Sequence, residues 1–159
     1  MQEKTEKIYR KAIISDVKPM QKIINNLASQ DEMLPRSLNQ IYETLRDFWV
    51  CIMDDTVCGC CALHIMWEDL AEIRSVAIPP EYQRQGIGKK LVQLAISEAL
   101  ELGLPRIFLL TYKPEYFKKH GFHEVDKNTL PHKVWRECIN CPKFPDCGEV
   151  AMIRELQVI

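Results

Sequence analysis

The chain has 159 residues, of which 47% are hydrophobic and 27% charged, and its formal net charge is −1. This length and composition predict one globular domain over residues 1–159 and exclude a disordered or fibrous protein. A charge so near zero argues against nucleic acid or an anionic membrane surface as a partner. The polar start and the lack of an apolar run of about 18 residues predict no signal peptide and no membrane span. A cytoplasmic protein is therefore expected.

Hydrophobic periodicity predicts strands and helices that alternate along the chain. Short apolar runs predict strands at Tyr9–Ile14, Trp49–Met53, Val57–Trp67, Leu70–Ile78, Arg106–Thr111, Phe122–Val125 and Val150–Leu156. Apolar residues that recur every three or four positions predict helices at Val17–Leu27, from the N-cap Ser37 through Phe48, at Gly86–Leu102 and at Pro114–His120. Helices placed between strands of one sheet indicate an α/β domain, and the hairpins favour a mixed sheet over a purely parallel one.

The segment from Gln83 to Lys89 follows a strand and enters the clearest helix of the chain, with Gly86 and Gly88 at the helix start. Glycine lets the backbone curl closely around a ligand, because it carries no Cβ. The first N–H groups of a helix have no partner within the helix, and the helix dipole adds partial positive charge there. This arrangement predicts a site for a phosphate or pyrophosphate. The spacing fits neither a P-loop nor a dinucleotide-binding motif.

The sequence Gln83-x-x-Gly86-x-Gly88 after a strand resembles the acetyl-CoA signature of the GNAT N-acetyltransferases. The resemblance covers roughly Tyr9 to Leu156. It implies the GNAT fold, an α/β (α+β) architecture whose mixed, mostly antiparallel twisted sheet is flanked by helices and admits acetyl-CoA at a bulge or between splayed strands. It also implies the residues that contact acetyl-CoA. These are Val76, Ala77 and Ile78 for the pantetheine arm and thioester, the backbone of Gln83, Arg84, Gln85, Gly86, Ile87, Gly88 and Lys89 for the pyrophosphate, and Thr111.

Two side chains are candidates for proton transfer. The segment Ala71-Glu72-Ile73 resembles GNAT members with a glutamate general base, and a partly desolvated carboxylate can take the proton of an attacking amine. A solvated strand residue is the alternative interpretation of Glu72. Many GNAT members carry a general-acid tyrosine four residues before the glycine of a Gly-Phe pair, but Phe117 stands there in this chain. Tyr116 is therefore the first candidate acid and Tyr112 the second, and the alternative for Tyr116 is a packing role. A reaction without an acid is also open, because a thiol is a fair leaving group at neutral pH.

The region from Thr111 to Lys133 is similar to the acetyltransferase domain of N-acetylglutamate synthases, in a short stand-alone form. That resemblance implies acetyl transfer to the α-amine of an amino acid, L-glutamate first, in arginine biosynthesis. Two carboxylates call for two cationic anchors, for which Arg36 is the first candidate and Lys133 the second, with Arg74 and Arg136 as further candidates. The expected partner is a small amino acid, and a homodimer is an open alternative to a monomer. The other functions considered are acetylation of a protein N-terminus or a polyamine, and a non-catalytic acyl-CoA-binding or zinc-stabilised module.

Seven cysteines are unusual in a chain expected to be cytoplasmic. Those at 51, 58, 60 and 61 fall in predicted strands and are interpreted as buried thiols. Cys138, Cys141 and Cys147 have spacing that suits structural thiols, a zinc site or a redox-sensitive pair. No metal ligand is assigned. The four histidines show no catalytic or metal-ligand spacing and are interpreted as packing or surface residues.

Overall fold

A computed structural model describes residues 5–130 and 148–157. Its strands are β1 (Ile8–Lys11), β2 (Phe48–Met53), β3 (Thr56–Trp67), β4 (Leu70–Ala77), β5 (Arg106–Thr111), β6 (His123–Glu124) and β7 (Val150–Glu155). Its helices are α1 (Val17–Ala28), α2 (Leu38–Glu43), α3 (Ile87–Glu101) and α4 (Pro114–Lys118), with short 3-10 turns between elements. The strands form one sheet in the order β1-β2-β3-β4-β5-β7-β6. β4 and β5 are parallel, whereas β1/β2, β2/β3, β5/β7 and β6/β7 are antiparallel. The predicted mixed, mostly antiparallel α/β fold is confirmed.

The described residues pack into two compact units, and the first comprises 5–64 and 73–98. Its core joins α1 and α2 to one face of β2 and β3. The spacing predicted Met20, Ile23, Ile24 and Leu27 as the apolar face of α1; three of them are buried in this core, Ile23 packs against it partly buried, and Val17 is buried as well. They pack with alternate residues of the strands, Phe48, Val50, Cys60 and Ala62. Because side chains alternate along a strand, even-numbered positions of β3 face α1 and α2 at this point.

The second unit comprises 65–72, 99–130 and 148–157. Here β5 is the central strand, with Ala71 and Glu72 paired to Ile107 and Phe108 on one side and β7 on the other. Leu70, Phe108, Leu130 and Ala151 form a buried cluster, and Met66 of β3 packs against it. The prediction of a single domain over 1–159 stays a prediction.

Two element boundaries differ from the prediction by three residues or more. The helix after Ser37 was expected to continue through Phe48, but α2 ends at Glu43 and Phe48 opens β2, opposite Ala62. A helical apolar spacing and the start of a buried strand overlap in this segment, and pairing with β3 decides between them. The first strand ends at Lys11 rather than Ile14, which lies in a 3-10 turn. Among the described residues, no helix has the length and apolar character that crossing a membrane demands.

Candidate active site

Strand β4 carries the first part of the site and is irregular in its middle. Ser75 has φ +55°, in the left-handed region that non-glycine residues seldom adopt. Its carbonyl oxygen accepts a hydrogen bond from the Cys60 thiol, with 3.4 Å between sulfur and oxygen. A left-handed residue breaks the regular alternation of a strand. The backbone of Val76, Ala77 and Ile78, which follows this break, is the segment predicted to pair with pantetheine.

The loop from Gln83 to Gly86 forms the second part, between β4 and α3. Arg84 and Gly86 both have positive φ, +65° and +80°. The Gln83 side-chain amide donates to the Ile78 carbonyl at 2.9 Å, so the loop is tied to the end of the strand. The Lys90 N–H donates to the Gly86 carbonyl at 3.1 Å and begins the hydrogen bonding of α3. The N–H groups of residues 86 to 89 precede that first bond and have no partner of the i−4 type within the helix.

Close packing against β3 fixes the two ends of this loop. A Cβ built on Gly59 of β3 would lie 2.7 Å from Cδ1 of Ile78 and 3.0 Å from Cγ2 of Ile87. Glycine at this position therefore lets the strand end and the helix start approach β3 closely. Ile87 is 1% exposed, so its backbone and not its side chain is available to a ligand. The side chains of Gln83, Arg84 and Gln85 are exposed, as is Lys89.

Lys7, at the approach to β1, adds a contact that the sequence did not suggest. Its ammonium donates to the Gln85 carbonyl, with 3.2 Å between Nζ and the oxygen. In a trans peptide the carbonyl and the N–H point in opposite directions. Because Lys7 holds the Gln85 carbonyl, the Gly86 N–H of the same peptide points away from Lys7. In that orientation the N–H can donate to an anion bound within the loop.

Glu72 lies on β4, three residues before Ser75. It is 7% exposed and is paired with Phe108, in the second unit. Leu70, two residues earlier on the same strand, belongs to the buried cluster with Phe108. A carboxylate that is largely shielded from water is suited to exchange a proton with a reactant, since water does not fully stabilise its charge.

Thr111 and Tyr116 lie at the end of β5 and in α4. Thr111 is buried, and its hydroxyl oxygen accepts the Lys113 N–H at 2.8 Å, which shapes the turn into α4. The Tyr116 ring is half-buried and packs edge-on against Phe117 and His120, with ring centroids 5.0 and 5.1 Å away. Phe117 is buried. Tyr116 is thus the more exposed aromatic residue of this pair.

Arg36 lies in the loop that joins α1 to α2, and its backbone is anchored on α1. Its N–H donates to the Asn25 side chain at 3.0 Å, and its carbonyl accepts from Gln21 at 3.4 Å. Ser37 is the N-cap of α2, as predicted, because its hydroxyl accepts the Gln40 N–H and Gln40 bonds back to the Ser37 N–H. The Arg36 side chain is half-buried. Lys133, the second predicted anchor, lies outside the described residues.

Comparison with known proteins identifies the family to which the chain belongs. The acetyltransferase (GNAT) family model matches residues 16–124. The chain belongs to the GNAT acetyltransferase family.

Three relatives give the extent of the similarity. An uncharacterised N-acetyltransferase of Chlorobaculum tepidum is 40% identical over 147 residues, 92% of this chain and 95% of that protein. An amino-acid acetyltransferase of Mycobacterium tuberculosis is 36% identical over 133 residues, 82% of this chain and 76% of that protein. The crystal structure of a Mycobacterium tuberculosis protein in complex with CoA and NLQ matches with a TM-score of 0.80 and 32% identity, over 94% of this chain and 99% of that one.

GNAT membership makes the protein an N-acetyltransferase with acetyl-CoA as its co-substrate. The residues present fit that molecule. Three features suit a pyrophosphate: N–H groups at the start of α3 that have no i−4 partner within the helix, positive φ at Arg84 and Gly86, and exposed polar side chains. As to the acceptor, the chain is similar to amino-acid acetyltransferases.

The four cysteines of β2 and β3 are buried free thiols, as predicted. Burial, together with a hydrogen bond to Cys51, raises the pKa of Cys58 to about 12. Burial also raises the pKa of Cys60 to about 12, against the smaller opposite effect of a backbone hydrogen bond at Ala77. Within residues 5–130 and 148–157, no group of three or more His, Cys, Asp or Glu side chains could hold a metal ion. Cys138, Cys141 and Cys147 lie outside the described residues.

One pair of polar side chains was missed in the sequence. His64 of β3 and Asp47, which precedes β2, are 2.6 Å apart between Nδ1 and Oδ2. The two residues are 17 positions apart, so no local spacing pattern could have linked them. With 28% of its side chain exposed, His64 still fits the interpretation as a packing or surface residue.

Proposed function

We propose that the protein transfers the acetyl group of acetyl-CoA to the α-amine of L-glutamate, the reaction that opens arginine biosynthesis. The observation that carries this proposal is the anchored loop at Arg36. Its backbone is fixed to α1 at two points, and its side chain is half-buried. An arginine held in this way is suited to a carboxylate, because its planar guanidinium donates two parallel hydrogen bonds. The similarity to an amino-acid acetyltransferase supports an amino acid as the acceptor.

The acceptor's charge explains why more than one cation is needed. L-glutamate carries two carboxylates and one amine, and each carboxylate that leaves water needs a charged or hydrogen-bonding partner. We assign one carboxylate to Arg36 and the other to Lys133. A polyamine would instead need acidic side chains around its ammonium groups, and two cationic anchors would repel it.

Glu72 is our choice for the base that acts as the amine attacks. The nitrogen gains a bond to the acetyl carbon and must lose a proton, which the buried carboxylate takes directly or through a water. The carbon–sulfur bond breaks, and CoA leaves as a thiolate. We assign the proton donated to that thiolate to Tyr116, whose half-buried hydroxyl-bearing ring lies in α4. A thiol with an ordinary pKa near 8.5 is already a fair leaving group, so the acid contributes less than the base.

The backbone of β4 after Ser75 and the loop from Gln83 to Lys89 are assigned to acetyl-CoA, for the pantetheine arm and the pyrophosphate respectively. Thr111 is placed with them. Its hydroxyl oxygen already accepts the Lys113 N–H, so the hydroxyl hydrogen is the group that a ligand would use. Both substrates are held together in this scheme, and the amine attacks the thioester directly.

The test measures release of CoA thiol with a panel of acceptors: the common amino acids, a polyamine and a short peptide with a free N-terminus. We expect L-glutamate to give the highest kcat/KM. Arg36→Ala should raise KM for glutamate at least tenfold and leave KM for acetyl-CoA unchanged, whereas the exposed Arg46→Ala should behave as native. A preference for the polyamine or the peptide would refute the proposal. Unchanged glutamate kinetics in Arg36→Ala would remove Arg36 from the site.

A further inference from the structure

Cys60 of β3 bonds to the backbone of the neighbouring strand β4 at the point where β4 is irregular. Its thiol donates to the Ser75 carbonyl oxygen, with 3.4 Å between sulfur and oxygen. The sulfur also makes a hydrogen bond with the backbone of Ala77. Burial raises the pKa of Cys60, and this second bond acts to lower it, as a bond donated by the Ala77 N–H to the sulfur would. One side chain therefore bridges two backbone groups on either side of Val76.

The surroundings of Cys60 keep this bridge in place. Cys60 and Ala77 are 0% and 1% exposed, and both belong to the core that contains α1 and α2. Because burial raises the pKa of Cys60 to about 12, the sulfur keeps the hydrogen that it donates at neutral pH. Ser75 has φ +55°, a conformation that a non-glycine residue keeps only where its surroundings hold it. The thiol bridge is one of the contacts that hold it.

The bridge also fixes the direction in which the backbone groups of Val76 point. The carbonyl and the N–H of a trans peptide point in opposite directions. The Ser75 carbonyl points to the sulfur, so the Val76 N–H in the same peptide points away from Cys60. The Ala77 N–H points to the sulfur as well, so the Val76 carbonyl also points away. Val76 thus presents one donor and one acceptor on the same side, opposite Cys60.

We propose that Cys60 is a positioning residue for acetyl-CoA: its thiol holds the backbone at Ser75 so that Val76 presents its N–H and carbonyl to the pantetheine arm and thioester. The amides of the pantetheine arm carry the same donors and acceptors as a peptide, and an extended peptide pairs with backbone groups of this kind. Cys60 itself does not touch acetyl-CoA, because its side chain is buried in the core. This role rests on the proposed assignment of β4 to pantetheine and does not depend on which amine accepts the acetyl group.

The test compares the affinity for acetyl-CoA with the affinity for ADP, which has a pyrophosphate but no pantetheine arm. Cys60→Ala removes the bridge and should raise Kd for acetyl-CoA about three- to tenfold, the range that corresponds to a lost hydrogen bond. Kd for ADP should stay within about twofold of native. Isothermal titration calorimetry measures both constants without an acceptor. In the thiol-release assay, KM for acetyl-CoA should rise in the same proportion, while KM for the best acceptor stays unchanged.

Three further variants separate positioning from loss of packing. Cys61→Ala removes the same atoms from the next residue of β3, which is also 0% exposed but faces the other side of the sheet, and should keep the native Kd for acetyl-CoA. Cys60→Ser keeps a donor and an acceptor at the bridge and should bind acetyl-CoA within about twofold of native. Cys60→Val fills the space without a donor and should bind acetyl-CoA as weakly as Cys60→Ala, so it replaces that variant if the alanine protein does not fold.

Native affinity for acetyl-CoA in folded Cys60→Ala or Cys60→Val would overturn this role. An equal loss of affinity for acetyl-CoA and ADP would overturn it as well, because the effect would then extend beyond the backbone that meets pantetheine. The same conclusion would follow if Cys61→Ala bound acetyl-CoA as weakly as Cys60→Ala, or if folded Cys60→Ser bound it no more tightly. A preferred acceptor other than L-glutamate would count only against the proposed function, since none of these binding measurements involves an acceptor.

Discussion

Two glycines with nearly the same φ angle allow the contribution of the acetyl-CoA loop to binding to be tested apart from its contribution to stability. Gly86 has φ +80° and Gly103 has φ +79°, and a Cβ built on either would have no atom within 4 Å. Gly86 ends the loop before α3, and Gly103 follows the C-terminus of the same helix. Alanine at each position therefore meets the same backbone strain and no clash. The two variants differ only in where the added methyl group lies.

The expected loss of stability is the same for both variants. A left-handed conformation costs an alanine about 1–2 kcal/mol. The lower entropy of the unfolded chain offsets up to about 1 kcal/mol of this cost. A net loss of about 1 kcal/mol corresponds to a fall in Tm of roughly 2–4 °C for a chain of this size. Thermal unfolding of Gly86→Ala and Gly103→Ala should therefore show closely similar midpoints, both slightly below the native value.

Acetyl-CoA binding should separate the two variants. The methyl group of Gly86→Ala lies where the pyrophosphate is expected to meet the backbone, so we expect Kd for acetyl-CoA to rise at least tenfold, or about 1.4 kcal/mol. Gly103→Ala should bind acetyl-CoA as the native protein does. Isothermal titration calorimetry measures both. Native affinity in Gly86→Ala, together with the shared fall in Tm, would show that the pyrophosphate does not contact this loop as we describe. Weakened binding in both variants would show that the effect comes from α3 as a whole.

Further predictions concern Glu72, Lys7 and Cys60. Glu72→Gln removes the proton acceptor and keeps the shape of the side chain, so kcat should fall roughly 100-fold or more while Kd for acetyl-CoA stays unchanged. Stopped-flow kinetics measure kcat and calorimetry measures Kd. A kcat within threefold of native would exclude Glu72 as the base. Lys7→Met frees the Gln85 carbonyl and should weaken acetyl-CoA binding about threefold, without affecting the binding of S-acetylpantetheine, which has no pyrophosphate. The control is Lys18→Met, at an exposed lysine. Equal weakening of both thioesters would contradict a role of Lys7 in pyrophosphate binding. Burial raises the pKa of Cys60 from its ordinary value of 9.0 to about 12, so its contribution to stability is complete below about pH 9 and is lost as pH rises through about 12. The free energy of unfolding should therefore fall less steeply above pH 9 in Cys60→Val than in the native protein, and parallel slopes would refute this.

The sequence contained enough information for the fold because its local signals agree with the pairings that form. The i, i+3, i+4, i+7 spacing of α1 and the glycine after α3 both describe elements that the structure contains. The signal failed at Phe48, where one residue fits a helical face and a strand equally well. Only pairing with Ala62, a contact between distant residues, decides which element forms. Long-range pairing of this kind has no local pattern from which to predict it.

The residues of the site also divide into those that local sequence predicts and those that only tertiary contacts reveal. The loop from Gln83 to Gly88 could be predicted because one continuous segment builds it, from the strand end to the helix start. The contact of Lys7 with Gln85 spans 78 positions, and that of His64 with Asp47 spans 17. Each of these residues has an ordinary local sequence, so composition and spacing assign it to the surface or to packing. The contacts of such residues form only in the tertiary structure, so no local sequence pattern predicts them.

The buried thiols bear on whether the acetyl group passes through a cysteine. Cys51, Cys58, Cys60 and Cys61 are all inaccessible to solvent. Burial raises the pKa of Cys58 and Cys60 to about 12, which favours the protonated thiol at pH 7, whereas the thiolate is the form that attacks a thioester. An acetyl-cysteine intermediate at β2 or β3 is therefore disfavoured, which supports direct attack by the amine. The three cysteines at 138, 141 and 147 are the remaining candidates. A variant with serine at all three positions should keep the native kcat if the amine attacks directly, and loss of a pre-steady-state burst of CoA together with activity would instead show a covalent route.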